Sequence, residues 1–209
     1  MVNVLYLGFL TSLGFYRNMG NYMELFAKNI SEAEEQKMSK HRCMEVLCKF
    51  SDELDKCSEI YSEIYKITRR FYKLFQFCAF FTICLMTMSL IRNVHHALIY
   101  YLKYEQIIWS SLIFSVLRFL DFIIFPLVVD LMVEESRVPQ NLQWDCMFPG
   151  VDKRWDKSVN QFLTQLRFEE IKLNVYGLFE LNNNLCLLIL STAITYLTVL
   201  IQLSMIGSI

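Results

Sequence analysis

The chain has 209 residues, of which 55% are hydrophobic, with a formal net charge of −1 and a mean hydropathy of +0.32. That apolar content exceeds an ordinary soluble domain's, while the charges that remain are concentrated between uncharged runs. The near-neutral balance, with no basic cluster interleaved with aromatics, excludes a nucleic-acid binder.

Residues 1–15 read as the end of a membrane span. The uncharged stretch is short of the ~20 apolar residues needed to cross a bilayer. It has no basic residue ahead of it and no small-residue cleavage site, so it does not read as a signal peptide.

Residues 16–73 then turn polar and helical. Within them Leu47, Phe50, Leu54, Cys57, Tyr61, Ile64 and Phe71 recur in steps of three and four, with Thr68 filling the missing place. This is a heptad seam, and most of the acidic and basic residues lie off it. One helix packing against a single partner, continuing straight into the next span, accounts for the pattern.

Residues 74–91 contain no charged side chain, so a span is predicted over 74–100. Arg92, His95, His96 and Tyr100 fall near its far end. A short link at 101–106 leads to a further apolar stretch, 107–133, which carries Trp109, Arg118, Asp121 and Asp130. Arg118 and Asp121 are three residues apart and share a helix face, so they can pair. Charges at membrane depth are costly unless paired or turned toward a polar interior. Pro126 permits a bend.

Residues 134–183 are polar again. Their first part, with Pro139, Pro149 and Gly150, has loop chemistry. A helix is expected from about Lys157 to Phe179, broken by Asn182, Asn183 and Asn184 before a last span over 184–206. In that span Gln202 is an amide in an apolar run and needs a partner: water in a pore, or another helix in a bundle core. Thr192, Thr195 and Thr198 can satisfy themselves by bonding carbonyls one turn earlier.

Segment 16–73 holds eleven of the twenty Lys and Arg residues and segment 134–183 holds six. Both are therefore expected on the cytoplasmic side, with the 101–106 link and the C-terminus external. The fold class is all-α: a polytopic membrane helix bundle whose long helices extend into the cytoplasm.

Chemistry by inventory points away from enzymes. There are three histidines, no Gly-rich phosphate loop, no GxSxG and no HExxH, so neither catalytic residues nor a cofactor are expected. The seven cysteines form no CxxC pair, and His41, Cys43 and Cys48 fit no zinc spacing, so reduced cysteines and no metal are expected.

The C-terminal stretch VYGLFELNNNLCLLILSTAITYLTVLIQL resembles the signature of insect gustatory receptors. Gly177, Leu178, Phe179 and Leu181 match its Gly-Leu-Phe-x-Leu element. Thr195 and Tyr196, the five residues 197–201 and then Gln202 match its second element, with Thr198 among the five and Leu203 where the family has Phe. Family members are about twice this length with seven spans, so the chain is similar to their C-terminal half.

The resemblance implies a subunit, or a C-terminal fragment, of a ligand-gated non-selective cation channel in the plasma membrane of chemosensory neurons. Its partners would be membrane lipid, other subunits in a homo- or hetero-tetramer, a small-molecule tastant and permeating cations. Thr195, Tyr196, Val199, Gln202 and Leu203 would line the pore or gate, although helix packing is an alternative for Thr195 and Tyr196. Leu47, Phe50, Leu54, Tyr61, Ile64, Gly177 and Phe179 would serve a cytoplasmic anchor where subunits meet. His95, His96, Tyr100, Trp109, Arg118 and Asp121 would reach a ligand pocket, with an aromatic interface belt and a structural ion pair as the alternatives. A different reading of the whole chain is a truncated, non-conducting membrane protein that assembles with full-length subunits and modulates them.

Overall fold

The computed structural model describes residues 2–35, 40–104, 109–142, 144, 148 and 151–206. Its elements in chain order are α1 (Val2–Glu35), α2 (Lys40–Tyr104), α3 (Trp109–Asn141), α4 (Lys153–Phe168), a hairpin of β1 (Asn174–Val175) and β2 (Phe179–Glu180), and α5 (Asn183–Ile206). The all-α reading holds, with that one small hairpin as the departure.

The chain divides into two compact units. Unit 1 comprises Met1–Leu7, Leu74–Asp130 and Leu173–Ile209. Unit 2 comprises Gly8–Lys73 and Leu131–Lys172.

Unit 2 is built on the seam. Leu47, Leu54, Cys57, Tyr61 and Thr68 are buried, as the heptad spacing requires, while Phe50, Ile64 and Phe71 are half-buried. Phe26 of α1 meets Phe50 edge-on at 5.7 Å and Trp144 at 6.0 Å; Trp144 in turn meets Phe162 of α4 at 5.8 Å. Ring contacts of this kind add to the area burial that drives packing. Trp144 also donates its indole N–H to the Pro139 carbonyl at 2.8 Å, so its polar edge is satisfied inside the core. Gly8 gives close approach: a Cβ there would lie 2.0 Å from the Phe71 ring, so any side chain would force that ring aside.

α4 forms because each local signal agrees. Asp152 caps it by accepting from the Arg154 backbone N–H at 2.9 Å. Asp156 in the first turn and Arg167 in the last complement the helix dipole. Trp155, Val159, Phe162 and Leu166 bury one stripe. α4 runs parallel to α2 in fixed register: the side-chain pairs Ser51–Ser158, Ser58–Gln165 and Ser62–Glu169 are all 107 residues apart.

Three expected boundaries are corrected. Residues 101–104 belong to α2, so the predicted link begins later, and its remainder at 105–106 lies outside the described residues. Residues 134–141, expected as loop, continue α3. Pro139 removes only one helical hydrogen bond there, while Met132, Ser136 and Pro139 keep a buried stripe at helical spacing. The helix expected to reach Phe179 ends at Phe168. Tyr176 and Gly177 both have positive φ (50° and 70°), which no α-helix accommodates, and the chain turns back instead.

In unit 1, Met86 of α2, Phe122 of α3 and Cys186 of α5 form a buried cluster, with Ile123, Ile189 and Leu190 packed against it. Gln76 of α2 donates to the Asn174 carbonyl at 2.9 Å, and Phe80 stacks on Phe179 at 6.4 Å, so α2 holds the hairpin.

Candidate functional site

α5 begins where Asn182 accepts a hydrogen bond from the Leu185 backbone N–H at 3.0 Å, an N-cap supplied by the Asn triplet. The triplet therefore starts the helix. It does not interrupt a longer one, because the preceding residues form the hairpin. The turn at Val175–Leu178 is closed by a Leu178 N–H to Val175 carbonyl bond of 2.9 Å, and its two central residues have the φ signs of a type I′ turn. Gly177 is thus favoured by backbone conformation. Phe179, the first residue of β2, is half-buried against Phe80, so Gly177 and Phe179 sit in a hairpin where a helix was expected.

Along α5 a buried stripe of Leu185, Cys186, Ala193 and Leu197 faces the rest of unit 1. The opposite face is exposed. On it Ser191, Thr195, Thr198 and Gln202 follow one another at steps of four, three and four, which aligns them on one line of the helix. Thr192, Thr195 and Thr198 donate to the carbonyls of Leu188, Ser191 and Ile194 at 2.9, 3.0 and 2.9 Å. Their hydroxyl protons are thereby satisfied within the helix, while the oxygen lone pairs stay presentable outward. Tyr196, Val199 and Leu203 are also exposed, at 53%, 46% and 61%, so all five residues read as pore or gate lie off the packed face.

α2 and α5 each contain a segment long and apolar enough to cross a membrane, and little of either segment is buried within the chain. Among the described residues α3 is not one of the two; its apolar run carries Arg118, Asp121 and Asp130.

The residues expected at a ligand pocket are only partly brought together. Arg118 pairs with Asp121 at 3.9 Å, as their spacing predicts, and its guanidinium sits 5.0 Å from the Phe114 ring centre. Arg118 also lines a cavity of about 420 Å³ between α2 and α3, together with Arg92. His95 and Tyr100 are half-buried and His96, Trp109 and Asp121 exposed; none of these five lines that cavity. Tyr100 packs on Tyr104 at 4.7 Å.

In the seam, Leu47, Leu54 and Tyr61 are fully buried within one chain. Tyr61 donates to the Ser136 carbonyl at 3.0 Å, and burial pushes its phenol well above the usual range, with the Glu169 charge adding to the effect. Arg137 and Lys172 flank Glu170 at 2.8 and 3.1 Å; the Lys172 hydrogen bond is the larger cause holding its carboxyl below the usual value. Among the described residues, no group of three or more His, Cys, Asp or Glu is placed to hold a metal, and the described cysteines are free thiols.

Sequence reasoning missed Ser191 as part of the exposed stripe and Arg92 as a cavity residue. The first could have been found by stepping back from Gln202 in fours and threes. The second required knowing which face of α2 meets α3.

The model of the 7tm Chemosensory receptor family matches residues 1–207. The chain is 34% identical over 99% of its length to the Drosophila melanogaster gustatory receptor for bitter taste 93a, and 27% identical over 98% to a protein assigned as gustatory receptor 93b of the same organism. It spans about half of each relative, 50% and 51%. A match across almost every residue, on a helical chain whose described residues include two helices apolar and long enough to cross a membrane, makes this a membrane protein of the insect gustatory receptor family.

Proposed function

We propose that the chain is a subunit of a ligand-gated, non-selective cation channel in which copies or relatives assemble as a tetramer around α5. The observation that carries this reading is the exposed line Ser191, Thr195, Thr198 and Gln202 on an uncharged and mostly apolar helix. In lipid such a face gains nothing, whereas around a water-filled axis the hydroxyl oxygens and the amide offer weak, exchangeable contacts to a hydrated cation. Leu203, one position further on, would form a ring of hydrocarbon at the same axis. The exposed flanks of α1 and α2 in unit 2, such as Tyr22 and Ile60, are surfaces for neighbouring subunits. The buried residues Leu47, Leu54 and Tyr61 hold the anchor's internal shape.

The stimulus would be a small-molecule tastant, a class supported by the relative named as a bitter-taste receptor. The plasma membrane of chemosensory neurons is the corresponding location. The test is current recording from cells expressing the chain alone and with a co-expressed family member. Cation current that appears with the chain and changes reversal potential or conductance in Gln202→Ala supports the reading. The absence of any current that depends on the chain, in both settings, refutes it.

A further inference from the structure

The cavity between α2 and α3 is unlike the rest of unit 1 in its polarity. At one end stand Thr82, Leu85, Met86 and Met88, apolar but for the Thr82 hydroxyl; toward the other stand Ser89, Arg92 and Arg118. Leu85 and Arg92 are seven residues apart on one helix, about 10 Å along its axis, so the cavity has an apolar end and a cationic end. Among the described residues, no acidic one lines it. Arg118 has Asp121 at 3.9 Å, which leaves two guanidinium groups facing one carboxylate in this region.

A second observation points to the same chemistry. The Asn93 amide nitrogen and the Ser115 hydroxyl are buried, and neither has a hydrogen-bond partner. Asn93 lies one turn beyond Ser89 on α2, and Ser115 lies three residues before Arg118 on α3. By helical spacing each shares a face with a cavity-lining residue. Asn93 and Ser115 lie beside the lining and not in it; the Asn nitrogen is a donor and the hydroxyl can donate, so both would be completed by an acceptor, and Arg92 and Arg118, which offer donors only, favour one that carries negative charge. Guanidinium groups in an apolar segment are costly until such a charge is supplied.

We propose that this cavity binds the head of an anionic amphiphile: carboxylate or phosphodiester oxygens received by Arg92 and Arg118, with the apolar chain lying along Leu85 and Met88. Those two side chains are 67% and 69% exposed, so the apolar end opens outward to admit a chain. The proposal rests on reading α2 and α3 as membrane spans, where the occupant is either a membrane phospholipid or a free fatty carboxylate.

The test uses the full chain in detergent micelles, with binding of labelled dodecanoate measured directly and dodecanol as the uncharged control. Dodecanoate is expected to bind at least tenfold more tightly than dodecanol. Arg92→Gln and Arg118→Gln are each expected to weaken dodecanoate binding about tenfold, with partial retention in Arg92→Lys. Arg92→Gln carries particular weight, because Arg118→Gln also leaves Asp121 without its partner. Displacement of dodecanoate by dioleoyl phosphatidylglycerol identifies membrane lipid as the occupant; displacement by other fatty carboxylates alone identifies the free acid. Equal binding of dodecanol, or unchanged affinity in both Gln variants, overturns the site. A glycosylation acceptor inserted between Tyr104 and Trp109 reports the topology separately. If it stays unmodified in cells while micelle binding persists, the span reading fails and the site stands.

Discussion

The hydroxyls of Ser51 and Ser158 lie 2.7 Å apart in the packed contact between α2 and α4, with 0% and 7% of each residue exposed. Two small polar side chains let the helices approach closely, and each satisfies the other where water cannot reach. The same offset recurs at Ser58–Gln165 and Ser62–Glu169, so a ladder of polar contacts fixes the register of one helix on the other.

Removing one hydroxyl leaves the other buried without a partner, which costs about 1–3 kcal/mol. Ser51→Ala and Ser158→Ala should therefore each lower the unfolding free energy of the detergent-solubilised chain by that amount. The double variant should cost less than the sum of the two. A double-mutant cycle by chemical denaturation checks this, and strict additivity would show that the two hydroxyls do not act together.

Gly177 has a φ of 70° inside the turn that joins β1 to β2. A side chain there meets no neighbour, so any penalty comes from backbone conformation alone. Gly177→Val should destabilise the hairpin by about 1–2 kcal/mol, and Gly177→Asn by much less, because Asn tolerates the left-handed region. Limited proteolysis near residue 176 provides the readout: Val should speed cleavage and Asn should not.

Burial, with the Glu53 charge as the smaller cause, pushes the Cys57 thiol up from 9.0 to about 11, and burial pushes the Tyr72 phenol up to about 12. Below about pH 9 both groups are neutral in the folded and unfolded states, so neither makes stability depend on pH. Above it the unfolded chain loses the Cys57 proton first. Stability then falls by about 1.4 kcal/mol per pH unit for each group until the folded pKa is passed. Thermal midpoints at pH 8, 9.5 and 10.5 should decline, and Cys57→Ser should flatten the first part of that decline. A midpoint that is unchanged between pH 8 and 10.5 would contradict it.

Much of the helical framework was legible because its signals are long. The seam from Leu47 to Phe71 repeats for several turns, and α5 has no charge from end to end, so periodicity and hydropathy identify both. The pairing of Arg118 with Asp121 and the back-bonding of Thr192, Thr195 and Thr198 follow from spacing on a helix alone. The hairpin was hidden because its strands are two residues each and sit beside helix-like apolar runs. A signal was present nonetheless: Ile171, Leu173 and Val175 are buried while Lys172 and Asn174 are exposed, a period of two ahead of Tyr-Gly. Within the hairpin, Gly177 makes the turn and Phe179 seats it on Phe80. The cavity residue Arg92 was illegible as such, because pairing of α2 with α3 is a tertiary fact that no local pattern encodes.

On the proposed reading, the exposed polar line of α5 faces water in a conduction path. Single cysteines at positions 191, 195, 198 and 202, and at positions 193 and 197 on the packed face, can be introduced in a background with Cys84 replaced by Ser. Each can then be challenged with a charged, membrane-impermeant thiol reagent during current recording. Modification should reduce current at 191, 195, 198 and 202 and leave it unchanged at 193 and 197. Equal reactivity on both faces, or current insensitive to modification along the polar line, would contradict the account.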